Sequence, residues 1–273
     1  MQITFSGRLG SGKSTVCAIL KEKYGYEIYS TGTVQRKVAE EMGIDTLELN
    51  KRMKENPELD HKIDDAVVKL SREKAGENIV YDSRMAWHFA ENTFKVYMYV
   101  DPTVAGERVF AANRGSVENY TSPLNAAEKL IERTLEENKR FKLIYGVDNL
   151  DFSNYDLIID STFATPDQIA SVIIESVAEF ENGNFGNTRV CLSPKNVFPT
   201  KPLQTNDGNP KICISNGFYY AVSGHKLLSD AQADANCVMM PFEISKGICD
   251  IEFNLALVNE YEEAAGFTYK TKP

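Results

Sequence analysis

Residues 7–14 read Gly-Arg-Leu-Gly-Ser-Gly-Lys-Ser and match the pattern GxxxxGK[ST] at every fixed position. That spacing suits one kind of chemistry, the cradling of a polyphosphate. Glycines let backbone N–H groups curl around phosphate oxygens with no Cβ in the way. A helix that starts on the motif points its positive end at the anion. Lys13 reaches the outer phosphates and the Ser14 hydroxyl reaches a Mg²⁺ ion. The expected ligand is ATP with Mg²⁺, held by Gly7, Gly10, Ser11, Gly12, Lys13, Ser14 and Thr15.

A second set of charges could serve an acceptor. Moving a phosphoryl group onto an anionic acceptor requires cations for both donor and acceptor phosphates. In an open parallel sheet these belong just past the strand ends. Asp82 ends the strand-like run Asn78–Asp82 and Arg84 lies just past it, Asp82 placed as a Mg²⁺ carboxylate and Arg84 as an acceptor-phosphate ligand. Arg36 lies one turn into the helix expected after Thr31-Gly32. Arg133 and Arg140 are seven apart, so they share a helical face, and Lys129 joins them four residues before Arg133. That face reads equally as a lid over the transferring phosphate and as a solvated mixed-charge surface.

The elements that would position these residues alternate. Strands are expected at 2–6, 78–82, 94–100 and 156–160, with a shorter apolar patch at 27–29. Helices are expected at 12–23, 33–42, 46–55, 58–74, 103–112, 123–144 and 166–180, with Leu59, Ile63, Val67 and Leu70 on one apolar face. Strands alternating with helices specify an α/β fold, a parallel sheet covered on both faces. The run Glu181–Asn187 is rich in Gly and Asn and reads as a linker. Three units follow: residues 1–182, a linker at 183–187, and a small α+β domain over 188–273.

Bulk composition narrows the class. The chain has 273 residues, 42% apolar and 25% charged, enough for a substantial core. The formal charge of −9 argues against nucleic acid as a partner. The start lacks a signal-peptide pattern and no run of about 18 apolar residues exists, so a cytoplasmic location without membrane contact is expected. Five cysteines without a CxxC pair read as reduced thiols.

Taken together, QITFSGRLGSGKST, YSTGTVQR (29–36), PELDHKID (57–64), YDSRMAW (81–87), KRFKLIYGVD (139–148) and YDLIIDSTFATPDQI (155–169) resemble the cytidylate kinases, the archaeal-type branch more closely than the longer bacterial type. The first string is generic to P-loop kinases; Lys139–Asp148 with the following YDLIIDST is much more specific. The resemblance covers residues 1–180 and implies a P-loop nucleoside monophosphate kinase with a three-layer fold. It implies transfer of the ATP γ-phosphate to CMP or dCMP. By position it assigns Gly32, Arg36, Asp64 and Arg84 to the monophosphate, and Arg114, Arg133 and Arg140, with Lys13, to catalysis. Two departures stand near the site: Ser83 where relatives carry Gly, and Thr134 where an acid is usual.

Residues 217–241 read as strand, tight turn, helix, strand, with Ser223-Gly224-His225 at the helix start, a place where an anion could bind. This stretch, with 191–200, resembles the ParB/sulfiredoxin-like fold, but Lys226-Leu227 follows His225 where that family continues with His or Arg. A polar helix cap explains the turn equally well, and the partner of this domain is left open. Two rival functions share the same loop: a P-loop kinase for another small metabolite, and a nucleotide-sensing binding protein without turnover.

Overall fold

The computed structural model describes residues 1–44, 48–49, 52, 58–112, 120–186, 188–215, 218–245 and 251–273. The helix expected at 46–55 falls largely outside them, as does Arg114.

Among the described residues, ten strands form one sheet in the order β2-β3-β1-β4-β5-β6-β10-β8-β9-β7. Five of them, β1 (Gln2–Gly7), β2 (Glu27–Ser30), β3 (Ile79–Asp82), β4 (Thr93–Tyr99) and β5 (Leu157–Asp160), run parallel, as the alternation requires. The register sets Gly7 beside Met98 and Ser30 beside Asp82, so the glycine loop and the turns after β2 and β3 leave the sheet on one edge.

Apolar residues on alternate strand positions bury both faces. On one face Ile3, Phe5, Phe94, Val96, Leu157 and Ile159 meet α1 (Lys13–Tyr24) and α7 (Pro166–Glu181) through Val16, Leu20, Ile169 and Ile173. Helix α7 begins with a complete capping box, Thr165 and Gln168 each bonding the other's backbone N–H. Helices α2 (Thr31–Glu41) and α3 (Glu58–Glu73) pack at the β2–β3 edge around Tyr29, Val34, Val67, Leu70 and Tyr81. The side chains of Leu59 and Ile63 lie outside the described ones. The short helix α4 (Ala86–Phe89) follows β3, and α5 (Pro102–Ala111) crosses α6 (Pro123–Tyr145) closely at Gly106.

The sheet continues past the expected linker. Strand β6 (Arg189–Leu192) pairs parallel with β5, setting Ile159 beside Cys191, and β10 (Met240–Ile244) pairs antiparallel with β6. Strands β7 (Val197–Phe198), β8 (Lys211–Ser215) and β9 (Phe218–Ser223) complete it. Helices α8 (His225–Ala233) and α9 (Leu255–Ala265) supply Leu228, Leu257 and Tyr261 to a core shared with Trp87, Tyr97, Tyr99 and Tyr155. The strand–turn–helix–strand expected at 217–241 is present as β9, α8 and β10.

The cysteine expectation needs correction. Cys17, Cys191 and Cys237 are free, whereas Cys213 is in a disulfide. Disulfide pairing depends on Cα atoms about 5.5–6 Å apart in space, which linear spacing does not display.

Candidate active site

The phosphate loop is built as the sequence demands. Gly7 ends β1 with φ 150°, and a Cβ there would fall 2.4 Å from the Met98 carbonyl oxygen, so no larger residue fits without moving β4. Gly12, the N-cap of α1, has φ 90° and ψ 18°, a left-handed conformation that turns the chain into the helix. No side chain caps α1; the amides of Thr15 and Val16 bond the Gly12 carbonyl oxygen, at 3.0 and 3.2 Å, and those of Lys13 and Ser14 precede these bonds. Ser14 and Thr15 are exposed at this helix start. Ser11 Oγ is buried without a hydrogen-bond partner, an orphan polar atom inside the cradle. These features fit a bound triphosphate.

Lys13, Asp82 and Arg84 converge across the loop. Lys13 Nζ lies 3.5 Å from the Gly7 carbonyl oxygen, at the limit of hydrogen bonding. Burial pushes the Lys13 ammonium below the ordinary lysine range and Arg84 works in the same direction, while Asp82 opposes them. Burial likewise raises the Asp82 carboxyl against the pull of Lys13 and Arg84. Burial, then the neighbouring Arg133, lowers Arg84 to about 10. Each group is therefore driven toward its neutral form, because desolvation outweighs the attraction between partners. A polyphosphate and a divalent cation would reverse this, which fits Ser14 and Asp82 as the residues to hold Mg²⁺.

Ser6 couples the loop to the acceptor side. Its hydroxyl lies 2.7 Å from the Arg84 carbonyl oxygen and 3.2 Å from that of Ser83. Beyond Arg84 opens a cavity of about 350 Å³ lined by Tyr29, Asp64, Ser83, Arg84, Arg140 and Tyr145, among others. Three residues expected to serve the monophosphate or the lid thus meet in one place: Asp64, Arg84 and Arg140. Asp64 accepts a hydrogen bond from the Tyr145 hydroxyl at 2.9 Å. Arg36 is exposed, donates to Thr33 Oγ1 at 3.1 Å, and is not among the lining residues. Thr31 lines the cavity where its neighbour Gly32 does not; Ser30 caps the helix there through Thr33 N.

Reading by residue type missed two features. Glu137 pairs with both Arg84 and Arg133, the latter at 3.0 Å. Its position four residues after Arg133 carried the signal, since that spacing places both on one helical face. The aromatic walls Phe89, Phe141 and Tyr145 also went unmarked, although Phe141 and Tyr145 lie in the string that supports the resemblance. Of the two departures, Ser83 lines the cavity, whereas the Thr134 hydroxyl is 2.8 Å from the Leu130 carbonyl oxygen and bonds its own helix. Lys129, expected on the arginine face, sits 5.9 Å from the Tyr120 ring.

The second strand–glycine–helix turn is closed. The N–H groups of Gly224 and His225 both donate to Asp207 Oδ1, at 2.8 and 2.9 Å. The chain's own carboxylate takes the place where an anion would bind, and His225 Nδ1 lies 2.8 Å from Asp207 Oδ2.

A parallel sheet whose first strand feeds a glycine cradle, with a basic, aromatic-walled cavity alongside, defines a P-loop phosphotransferase. The match to known families is narrower. The model of the Cytidylate kinase-like family covers residues 2–162, and the chain belongs to that family. The chain is 31% identical over 195 residues to a cytidylate kinase of Thermoplasma volcanium, covering 70% of this chain and 98% of that one. A cytidylate kinase of Sulfurisphaera tokodaii is 33% identical over 173 residues, 63% of this chain and 93% of its own. An S-adenosylmethionine-dependent nucleotide dehydratase of Lacinutrix mariniflava is 35% identical over 197 residues; the match covers 70% of this chain and only 40% of that longer protein. Among solved structures, the shikimate kinase of Bacteroides thetaiotaomicron overlays with a TM-score of 0.44 at 14% identity, covering 67% of this chain and 98% of that one.

Proposed function

We propose that the protein transfers the γ-phosphoryl group of ATP to CMP or dCMP, giving ADP and the nucleoside diphosphate. The observation that carries this reading is the place of Arg84, which acts electrostatically on Lys13 of the phosphate cradle and also lines the aromatic-walled cavity.

In this reading an oxygen of the acceptor phosphate attacks the γ-phosphorus in line, the bond to the β-phosphate oxygen breaks, and ADP leaves. No covalent intermediate on the protein is needed. Gly10, Gly12 and the first amides of α1 hold the phosphates, and Lys13 neutralises charge on the transferring group. Ser14 and Asp82 would hold Mg²⁺, which supplies further charge neutralisation when bound. Arg84 takes the acceptor phosphate, with Arg140 at the far wall. Asp64 and Tyr145 present a carboxylate and a hydroxyl to the base or sugar, and Tyr29, Phe89 and Phe141 offer flat apolar surfaces. Helix α6 with Arg133 and Arg140 acts as the lid that keeps water from the phosphoryl group. Arg114, outside the described residues, is assigned to the same lid. Arg36 would join the acceptor phosphate only after its side chain leaves Thr33.

Several charges directed at one transfer point favour turnover over simple sensing. Among the described residues no helix is long and apolar enough to cross a membrane. A cytoplasmic location, where both nucleotides are made, completes the proposal. Because disulfides are uncommon there, thiol titration without reductant tests that part.

The experiment for the reaction uses ATP labelled in its γ-phosphate. Label recovered in CDP with the native chain, and not with Lys13→Ala, supports transfer to the acceptor phosphate. Label released only as inorganic phosphate contradicts it.

A further inference from the structure

The loops that leave the carboxyl ends of β1, β4 and β5 form one edge of the sheet; residues 188–273 bond the β4 and β5 loops directly and reach the β1 loop through Tyr99.

The grip on the phosphate loop runs through Arg8. This second residue of the loop turns its side chain inward. Its guanidinium lies 4.5 Å from the centre of the Tyr99 ring, and its Nη1 donates to the Val100 carbonyl oxygen at 3.4 Å. Burial disfavours the charge, but a guanidinium stays ionised in proteins, and here it sits among the rings of Tyr99, Tyr97 and Tyr219. Tyr219 of β9 meets Tyr99 edge to face, with ring centres 5.0 Å apart and an angle of 81°. Both tyrosines are almost fully buried. A cation over one ring, backed by a second ring, is a stiff arrangement, because shifting any member opens a void in a close-packed core.

The grip on the β5 loop runs through Asp160, which is fully buried. Asp160 Oδ2 accepts Ser193 N at 3.0 Å and Asn196 Nδ2 at 2.7 Å, while Oδ1 accepts Thr162 N at 2.9 Å. Asn196 Nδ2 also reaches Thr162 Oγ1 at 2.9 Å, and that same hydroxyl oxygen accepts Asp101 N at 2.9 Å. Asp101 ends the β4 loop and caps α5 through Thr103 N and Val104 N. Thr271, near the chain's end, donates to Asp101 Oδ1 at 3.1 Å. Against this, the residues lining the acceptor cavity all lie between Tyr29 and Tyr145.

We infer that residues 188–273 position the ATP half of the site, with Tyr219 and Asn196 as the positioning residues, and reach the acceptor half only through the shared core at Trp87 of α4, which does not itself line the cavity. The inference rests on the kinase reading for the identity of the nucleotide, but its structural content, a phosphate loop held from behind by β9, does not.

The test uses the full chain with Tyr219→Leu, Tyr219→Phe and Asn196→Ala. Amide hydrogen exchange over residues 8–13 is read in the empty protein, and equilibrium binding of Mg-ATP and of CMP is read separately. Tyr219→Leu should speed exchange in the loop by about tenfold. It should weaken Mg-ATP binding by about fivefold and leave CMP binding unchanged. Asn196→Ala should weaken Mg-ATP binding to a similar degree, again sparing CMP. Tyr219→Phe, which keeps the ring, should stay close to the native protein on both readouts. Unchanged exchange and Mg-ATP binding in both Tyr219→Leu and Asn196→Ala, with only a lower melting temperature, would overturn the inference. So would an equal loss of CMP affinity. If the native chain binds no Mg-ATP, the kinase reading fails, and the exchange readout still decides whether β9 holds the loop.

Discussion

The Glu137 carboxylate of α6 pairs with the Arg84 guanidinium that follows β3, and Arg133 pairs with the same carboxylate. Two cations of the proposed transfer site are thus held by one internal anion. An acceptor phosphate carries more charge than a carboxylate and presents more oxygens, so it can take Arg84 over.

That exchange makes Arg84 the residue on which acceptor binding depends most. Arg84→Met should lower kcat/KM for the monophosphate by about 10²–10³-fold, since a charge-assisted ligand of the reacting group is lost. Binding of Mg-ATP alone, followed by calorimetry, should change little. An equal loss of ATP affinity would place Arg84 on the donor side instead.

Lys13 gives a pH signature. Burial lowers its pKa in the empty protein, and a bound polyphosphate raises it again. The charged form binds the nucleotide, so affinity should fall as pH rises through the lowered value. The alkaline limb of Mg-ATP binding should therefore begin below the ordinary lysine value of about 10.4. Lys13→Arg, which stays charged, should shift that limb upward even if turnover is lost. A native profile flat to pH 10 would contradict the burial argument.

Asp207 should govern acid stability of the C-terminal segment. Burial raises its pKa, but the His225 backbone N–H, the His225 ring and Lys201 together hold it well below the usual carboxylate range. A folded value below the unfolded one contributes stability that is fully present above about pH 4 and is lost as pH falls through the folded value. Asp207→Ala removes the acceptor for two helix-start amides and the partner of a buried histidine. It should cost about 2–3 kcal/mol at neutral pH and flatten the acid limb, measured by denaturant unfolding across pH.

The periodic elements of residues 1–180 were legible because each carries a strong local signal. The 3.6-residue spacing of Val16, Ile19 and Leu20 and the apolar run 94–100 stand as α1 and β4. The phosphate loop was legible because its chemistry is local in sequence. The acceptor cavity was only half legible. Asp64, Arg84 and Arg140 carry charge and attract notice; the spacing marks Glu137 as a partner of Arg133, whereas its pairing with Arg84 joins α6 to the β3 turn, a long-range contact. The run at 181–187 looks like a linker because Gly and Asn mark turns, yet strand pairing across it is a long-range event. Likewise, the turn at Ser223–His225 resembles an anion site until Asp207, 17 residues before Gly224, is brought onto it.

The measurement that tests the central claim most directly is ADP release with Mg-ATP and, in turn, CMP, dCMP, UMP, AMP and GMP, with Lys13→Ala as the blank. Fast turnover is expected with CMP and dCMP, little with the others, and none in the variant. Silence with all five acceptors, or a rate that does not depend on the acceptor, would contradict it.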